Sequence, residues 1–139
     1  MEPVRARDLA VIAIGGAGGA AARYALTRAE PVGKGTFPAT TFAINIVGAL
    51  VLAFLLESLA RRSRPAWWIR PFGAIGVLGG FTTFSTMCTE ATLLGRDGHV
   101  PLAVVYLAAS AAAGVAAVVA GLRLTGLPAR AVPPDEGES

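Results

Sequence analysis

The sequence predicts an all-α membrane protein with four transmembrane helices, the third of which is interrupted near its centre. Of its 139 residues, 54% are hydrophobic and only 15% are charged, whereas a soluble domain carries about 25% charged residues. The mean hydropathy is +0.60. A chain this short cannot bury so much apolar surface in one water-soluble core. Four long stretches are almost free of charge, and a segment rich in glycine and threonine lies within the third.

The four stretches predict membrane spans at about residues 9–27, 36–58, 71–94 and 99–122. Each is long enough to cross a hydrocarbon core of about 30 Å as a helix rising about 1.5 Å per residue. We expect one four-helix transmembrane domain over residues 1–124, followed by a disordered tail over 125–139 that is rich in proline and acidic residues. Four spans are too few to enclose a conventional pore without a partner chain.

Four spans place the start of the chain, the second loop and the tail on the same side. That side carries eight arginines and the other side four basic residues, Arg23 included. The excess favours a cytoplasmic location for both termini. Trp67 and Trp68 lie among the arginines of the second loop, a pattern that is typical of an anchor at the membrane interface.

Small residues recur at four-residue spacing within the spans. Gly15 and Gly19 in the first span, and Gly76 and Gly80 in the third, follow this pattern, and so does a row of alanines in the fourth span. Small residues at this spacing allow two helix backbones to approach closely in lipid. We therefore expect tight helix packing and, if the protein has a conduit, a narrow one.

The most informative segment reads Gly-Gly-Phe-Thr-Thr-Phe-Ser-Thr-Met over residues 79–87. Paired glycines followed by hydroxyl residues are poor in the centre of a helix. An interrupted helix at membrane depth exposes carbonyls that can coordinate a cation, while amide and hydroxyl donors can face an anion. A kinked helix that only packs against its neighbours explains the same pattern equally well.

Two further spans carry polar residues one helical turn apart. Thr41 and Asn45 lie in the second span, and Tyr106 and Ser110 lie in the fourth. The NH2 group of Asn45 can donate to an anion, or it can form a hydrogen bond between helices. The hydroxyls of the fourth span are more often packing features than ligands.

Three other classes of protein compete with a channel. A small proton-coupled, multidrug-type exporter needs a titratable acid at mid-membrane, but Glu57 and Glu90 both lie toward span ends. An enzyme needs a set of catalytic residues at a suitable spacing, and the sequence contains none. The chain has a single cysteine, Cys88, which excludes a framework of disulfides within the chain. A purely structural helix bundle leaves Asn45 and the interrupted span unexplained.

Three sets of residues resemble the small fluoride channels of the Fluc, or CrcB-type, family. They are Gly15-Gly16-x-Gly18-Gly19-x-x-x-Arg23-Tyr24, Asn45-x-x-Gly48, and the Gly-Gly-Phe-Thr-Thr-Phe-Ser-Thr string over 79–86. The resemblance covers roughly residues 9–122. It implies a fluoride-specific channel in the plasma membrane, the inner membrane of a bacterium, that exports fluoride passively and reduces its toxicity. It does not imply an enzyme.

The resemblance also implies an antiparallel, dual-topology dimer with two fluoride pores and a structural sodium ion at the interface. The backbone carbonyls of Gly79 and Thr82 match the sodium ligands. The positions that match the fluoride pathway are Phe84, Met87, Asn45, Thr41, Tyr106, Ser110, Thr83, Glu90 and Arg23. The positive edge of the Phe84 ring can face an anion, and Arg23 either gathers anions at the pore mouth or extends to the interface.

Two features depart from the family pattern. The family has a second phenylalanine where this chain has Met87, and methionine fills space without offering an aromatic edge. The arginine excess is also larger than expected for a chain that inserts equally in both orientations. Both departures lead to the hypothesis that the chain works with a homologous subunit of opposite topology, which stands beside a homodimer as the alternative.

Overall fold

A computed structural model describes residues 5–126, which are helical almost throughout and contain no strand. The third span has two parts: α3 comprises a wide π-type helix and one α-helical turn, and α4 follows after a break. The helices are α1 (Ala6–Ala29), α2 (Ala39–Ala60), α3 (Arg70–Leu78 with Gly79–Phe81), α4 (Phe84–Arg96) and α5 (Val100–Arg123).

The four predicted spans are confirmed, because α1, α2, the range Arg70–Arg96 and α5 are each long and apolar enough to cross a membrane. The helix ends differ from the predicted ends by one to three residues. Of the predicted tail, Thr125 and Gly126 form a turn after α5, and residues 127–139 lie outside the described residues.

Helix α1 packs along α3 through glycines, as their spacing predicts. A methyl group on Gly19 would fall on the carbonyl oxygen of Val77, and one on Gly76 would lie 2.8 Å from the carbonyl oxygen of Ile12. No side chain fits between the two backbones at these positions. The small residues therefore set the distance between α1 and α3.

Helix α5 packs against α2 on one side and α4 on another. Ala117 and Gly121 are buried on the face toward α2, and a methyl group on Gly121 would lie 2.9 Å from the Cβ of Ala53. Of the predicted alanine row, Ala109 and Ala113 are half-buried. The helix backbones therefore approach closely in two pairs, α1 with α3 and α2 with α5.

The interruption of the third span is confirmed, but it follows the glycine pair instead of coinciding with it. Gly79 keeps helical angles, φ −65° and ψ −35°. Thr82 (φ −78°, ψ 155°) and Thr83 (φ −150°, ψ 119°) are extended. Gly80 serves the contact with α1, since a methyl group there would fall on the carbonyl oxygen of Gly16. The glycine pair therefore does not mark the break, which is bonded instead to the side chain of Asn45 in α2.

The sequence predicts that the start of the chain, the second loop and the end of the fourth span lie on the same side, and contacts at the arginine-rich end confirm this. The Arg7 guanidinium lies 4.5 Å from the centre of the Trp67 ring, and Arg61 donates to the Thr125 carbonyl oxygen at 2.7 Å. The start of α1, the loop after α2 and the end of α5 therefore lie together. Trp67 is 49% exposed and Trp68 46%, as expected of interfacial anchors.

Candidate functional site

The break between α3 and α4 is held by the side chain of Asn45. The backbone N–H of Thr83 donates to Asn45 Oδ1 at 2.8 Å, and Asn45 Nδ2 donates to the Thr83 carbonyl oxygen at 2.9 Å. One amide thus replaces both hydrogen bonds that the extended residue cannot make within a helix. An NH2 group has two N–H donors, so the second remains for a ligand beside the break.

The hydroxyl residues after the break start the next helix. Thr83 Oγ1 accepts a hydrogen bond from the Thr86 backbone N–H at 3.1 Å, which caps one of the free amides at the start of α4. Thr83 also bonds to the Thr86 hydroxyl at 3.0 Å. Phe84 follows directly with 75% of its surface exposed. The cap fixes the backbone from which this exposed ring projects.

A groove of about 590 Å³ brings together five of the predicted pathway residues. They come from α2, from the break, from α4 and from α5, and they are Asn45, Thr83, Phe84, Met87 and Ser110. The hydroxyl oxygen of Ser110 is buried without a hydrogen-bond partner in the described part of the chain, which is unusual for a buried polar atom. The groove opens to the outside, so one chain encloses it on one side only.

Glu90, Thr41 and Tyr106 form a second cluster. Thr41 Oγ1 donates to Glu90 Oε1 at 2.8 Å, and the Tyr106 hydroxyl donates to Glu90 Oε2 at 2.7 Å. Thr41 is 1% exposed and Tyr106 is fully buried. Glu90 is half-buried, and each of its carboxylate oxygens has its own donor, which offsets the cost of its partial burial.

The two clusters are neighbours along the same helices. Thr41 lies one turn from Asn45 on α2, and Tyr106 lies one turn from Ser110 on α5. A separation of four residues along a helix corresponds to about 6 Å, so the Glu90 cluster lies about 6 Å from the groove along both helices. Together they form a polar path along the contact of α2, α4 and α5. The predicted hydroxyl residues thus belong to one path, although Thr41 and Tyr106 bond to Glu90 and do not line the groove.

The structure places Arg23 apart from this path. Its Nε donates to the carbonyl oxygen of Gly80 at 3.2 Å, which ties α1 to the last turn of α3. Arg23 is half-buried and does not line the groove. Its bond satisfies one of the carbonyls that the end of a helix leaves free.

The carbonyl oxygens of Gly79 and Thr82 accept no hydrogen bond from any described residue. The N–H groups that would reach them in a continuous helix are those of Thr83 and Thr86, and these donate instead to Asn45 and to the Thr83 hydroxyl. Free backbone carbonyls are suitable ligands for a hard cation. The two predicted sodium ligands are therefore present in a form that fits a cation.

Gly48 is a further residue of the site that is not among the predicted pathway positions. A methyl group on Gly48 would fall on Cγ2 of Thr82. Its spacing of three residues from Asn45 places it on the same face of α2. Because Gly48 has no side chain, Thr82 can pack directly against α2, and Thr83 then lies within hydrogen-bonding distance of the Asn45 amide.

The family model described as "CrcB-like protein, Camphor Resistance (CrcB)" matches residues 10–122, nearly the whole described chain. The chain belongs to the CrcB family. The predicted resemblance is thus confirmed, and with the four spans it identifies a multi-pass protein of the plasma membrane.

Relatives of this CrcB chain carry the name fluoride-specific ion channel, which is not an enzyme class. Fluoride-specific ion channel FluC 3 of Streptomyces avermitilis is 45% identical over 116 residues, which are 84% of the chain and 57% of the relative. FluC 1 of Streptomyces coelicolor is 46% identical and covers 79% of the chain and 71% of the relative. FluC of Methanopyrus kandleri is 40% identical over 122 residues, 88% of the chain and 92% of the relative.

Proposed function

We propose that the chain is one subunit of a channel that conducts fluoride passively out of the cell and so reduces fluoride toxicity. The observation that carries the proposal is the groove at the helix break, where an unused N–H of Asn45, the unpaired hydroxyl of Ser110 and the exposed ring of Phe84 meet. The names of the relatives from Streptomyces and Methanopyrus support it.

The chemistry of the groove suits a small anion. Fluoride is strongly hydrated, so a path that excludes water must offer other hydrogen-bond donors, and the Asn45 amide and the Ser110 hydroxyl are such donors. The edge of the Phe84 ring carries positive potential and can face the ion. Several weak sites in a narrow path allow the ion to enter and also to leave.

The open side of the groove favours a second subunit. Phe84 is the most exposed large apolar side chain of the described residues, at 75%, and a partner chain would cover it. We propose the antiparallel dimer that the family resemblance implies, with either an identical or a homologous partner. In a homodimer each pore would draw on Phe84 of one chain and Met87 of the other.

We also propose that Gly79 and Thr82 hold a sodium ion where the two chains meet. Their carbonyl oxygens are free because Asn45 and the Thr83 hydroxyl take the N–H groups that would normally reach them. Two chains would supply four such oxygens. The bound cation would offset the negative ends of these carbonyl dipoles at the interface.

Fluoride efflux from liposomes, measured with a fluoride electrode, tests the channel proposal. Phe84→Ile should reduce efflux at least tenfold, since it removes the aromatic edge from the groove, while the protein still assembles in size-exclusion chromatography. Phe54→Ile is the matched control, because Phe54 is 43% exposed on α2 and does not line the groove. Wild-type efflux of the Phe84 variant would refute the assignment of the pore.

The same liposomes distinguish a channel from a proton-coupled exporter. The Glu90 cluster is the feature that favours an exporter, because it contains a half-buried acid with two hydroxyl partners. A channel should release fluoride without a pH gradient and leave chloride inside. Release of an organic cation that depends on a pH gradient would instead identify an exporter.

A further inference from the structure

A second groove, of about 400 Å³, lies at the arginine-rich end between the end of α2 and the start of α3. We call it the Trp67 groove. Leu56, Leu59 and Pro65 form part of its apolar wall, with the ring of Trp67, and Arg70 stands beside them. The groove is separate from the polar path, whose residues it does not contain.

The charges at this end are unbalanced. Among residues 5–126, seven arginines and two acids lie there. Asp8 lies 3.7 Å from Arg7, and Glu57 lies 3.0 Å from Arg61. The other acids among residues 5–126 lie elsewhere, so within this range the positive charge of this end exceeds the negative charge.

The guanidinium groups of four of these arginines have neither an ion pair nor a hydrogen bond within residues 5–126. The four are Arg62, Arg64, Arg70 and Arg123. Arg70 lines the Trp67 groove, and Arg64 is the neighbour of Pro65 in its wall. The groove therefore combines an apolar wall with unpaired guanidinium groups at the level of the tryptophan anchors.

We infer that the Trp67 groove binds an anionic phospholipid. The phosphate would lie at Arg70 and Arg64, because guanidinium groups bind phosphate oxygens through paired N–H donors. An acyl chain would lie along Leu56 and Leu59, which face the groove. A site that combines guanidinium groups with an apolar wall fits a lipid better than a free phosphate ion, because the phosphate ion has no apolar part to contact the wall.

The two tryptophans of the chain, Trp67 and Trp68, make the site directly observable. The full-length protein is reconstituted into phosphatidylcholine vesicles that contain phosphatidylglycerol, with bromine on the acyl chains of one lipid or the other. Brominated lipid quenches nearby tryptophan, so the ratio of quenching gives the relative affinity for the two lipids. We expect a preference for phosphatidylglycerol of at least about fivefold, since one arginine near the surface contributes about that factor. Equal quenching by both lipids would overturn the inference.

Variants separate the site from the general charge of the surface. Arg64→Gln combined with Arg70→Gln should reduce the preference at least about fivefold. Arg96→Gln, at the opposite end of the third span, is the matched control and should leave the preference unchanged. A preference that survives the double substitution would contradict the assignment of the phosphate.

Ala60→Phe tests the apolar half of the site, because Ala60 lines the Trp67 groove and the substitution fills it without changing any charge. The preference should fall by at least half. An unchanged preference would mean that the arginines attract lipid diffusely and that the groove binds none. The measurement does not depend on fluoride conduction, so the lipid site and the proposed channel can each fail alone.

Discussion

At the scale of single residues, Asn45 combines a structural contact with the ligand role that we propose for it. Its amide bonds to both backbone groups of Thr83 and keeps one N–H for the groove. An interhelical hydrogen bond and an anion ligand are alternatives when only the sequence is known. In the structure the two bonds to Thr83 orient the amide, so the interhelical contact is compatible with the ligand role that we propose.

Asn45→Asp tests the hydrogen bonds that Asn45 donates without changing its packing, since the two side chains have almost the same shape. The carboxylate can still accept from the Thr83 N–H, but it has no N–H for the Thr83 carbonyl or for fluoride. We expect fluoride efflux from liposomes to fall at least tenfold and the protein to lose about 1–3 kcal/mol of stability. The variant should still elute at the wild-type volume in size-exclusion chromatography, and unchanged efflux would contradict the role of the amide.

Tyr106 gives a second prediction at this scale, on stability. Tyr106→Phe keeps the buried ring but removes the hydroxyl that donates to Glu90 at 2.7 Å. A hydrogen bond to a charged group contributes about 1.5–3 kcal/mol, so the free energy of unfolding should decrease by that amount. Titration with sodium dodecyl sulfate, followed by circular dichroism, measures it.

The only other tyrosine of the chain provides the control. Tyr24 is 64% exposed, and its hydroxyl makes no hydrogen bond within the described residues. Tyr24→Phe should change the free energy of unfolding by less than about 0.5 kcal/mol. Equal effects of the two substitutions would show that the bond between Tyr106 and Glu90 does not stabilise the fold.

At the scale of helices, the contact between α1 and α3 leads to a prediction on glycine. Gly19→Ala places a methyl group on the carbonyl oxygen of Val77 and 2.9 Å from the Phe81 backbone nitrogen, so the two helices must separate. Overpacking of this kind costs about 1–3 kcal/mol, and the same titration measures the loss.

Gly18→Ala is the matched control, one residue away on α1, where a methyl group would meet nothing within 4 Å. Because alanine favours a helix over glycine by about 1 kcal/mol, this variant should be as stable as the wild type or more so. If both alanine variants were equally stable, the glycines would not set the distance between α1 and α3.

The sequence predicts elements better than it predicts contacts between them. Stretches of 19 residues or more with at most one charged residue locate the spans, and four-residue spacing identifies the glycine faces, because both signals are local. The position of the break depends on Asn45, which is 38 residues away from Thr83, and no local pattern shows that partner. The bond between Arg23 and the Gly80 carbonyl, 57 residues apart, is hidden for the same reason.

At the scale of the whole molecule, the structure sharpens the arginine asymmetry. Arg23 is bonded to Gly80 within the helix bundle, so it does not count among the loop charges. Within residues 5–126, seven arginines at one end then oppose Arg28, Lys34 and Arg96 at the other. An antiparallel homodimer requires half of the chains to insert against this difference.

Labelling of introduced cysteines in intact cells measures the orientation of the chain. In a Cys88→Ser background, Val32→Cys reports the loop between α1 and α2, and Ser63→Cys reports the arginine-rich loop. The asymmetry predicts that a membrane-impermeant maleimide labels Val32→Cys and leaves Ser63→Cys unlabelled, because arginine-rich loops stay in the cytoplasm. Permeabilised cells, in which both positions should react, provide the control. Such a single orientation requires a homologous partner of opposite topology for an antiparallel channel, whereas labelling of about half of the molecules at both positions would contradict this and identify a dual-topology homodimer.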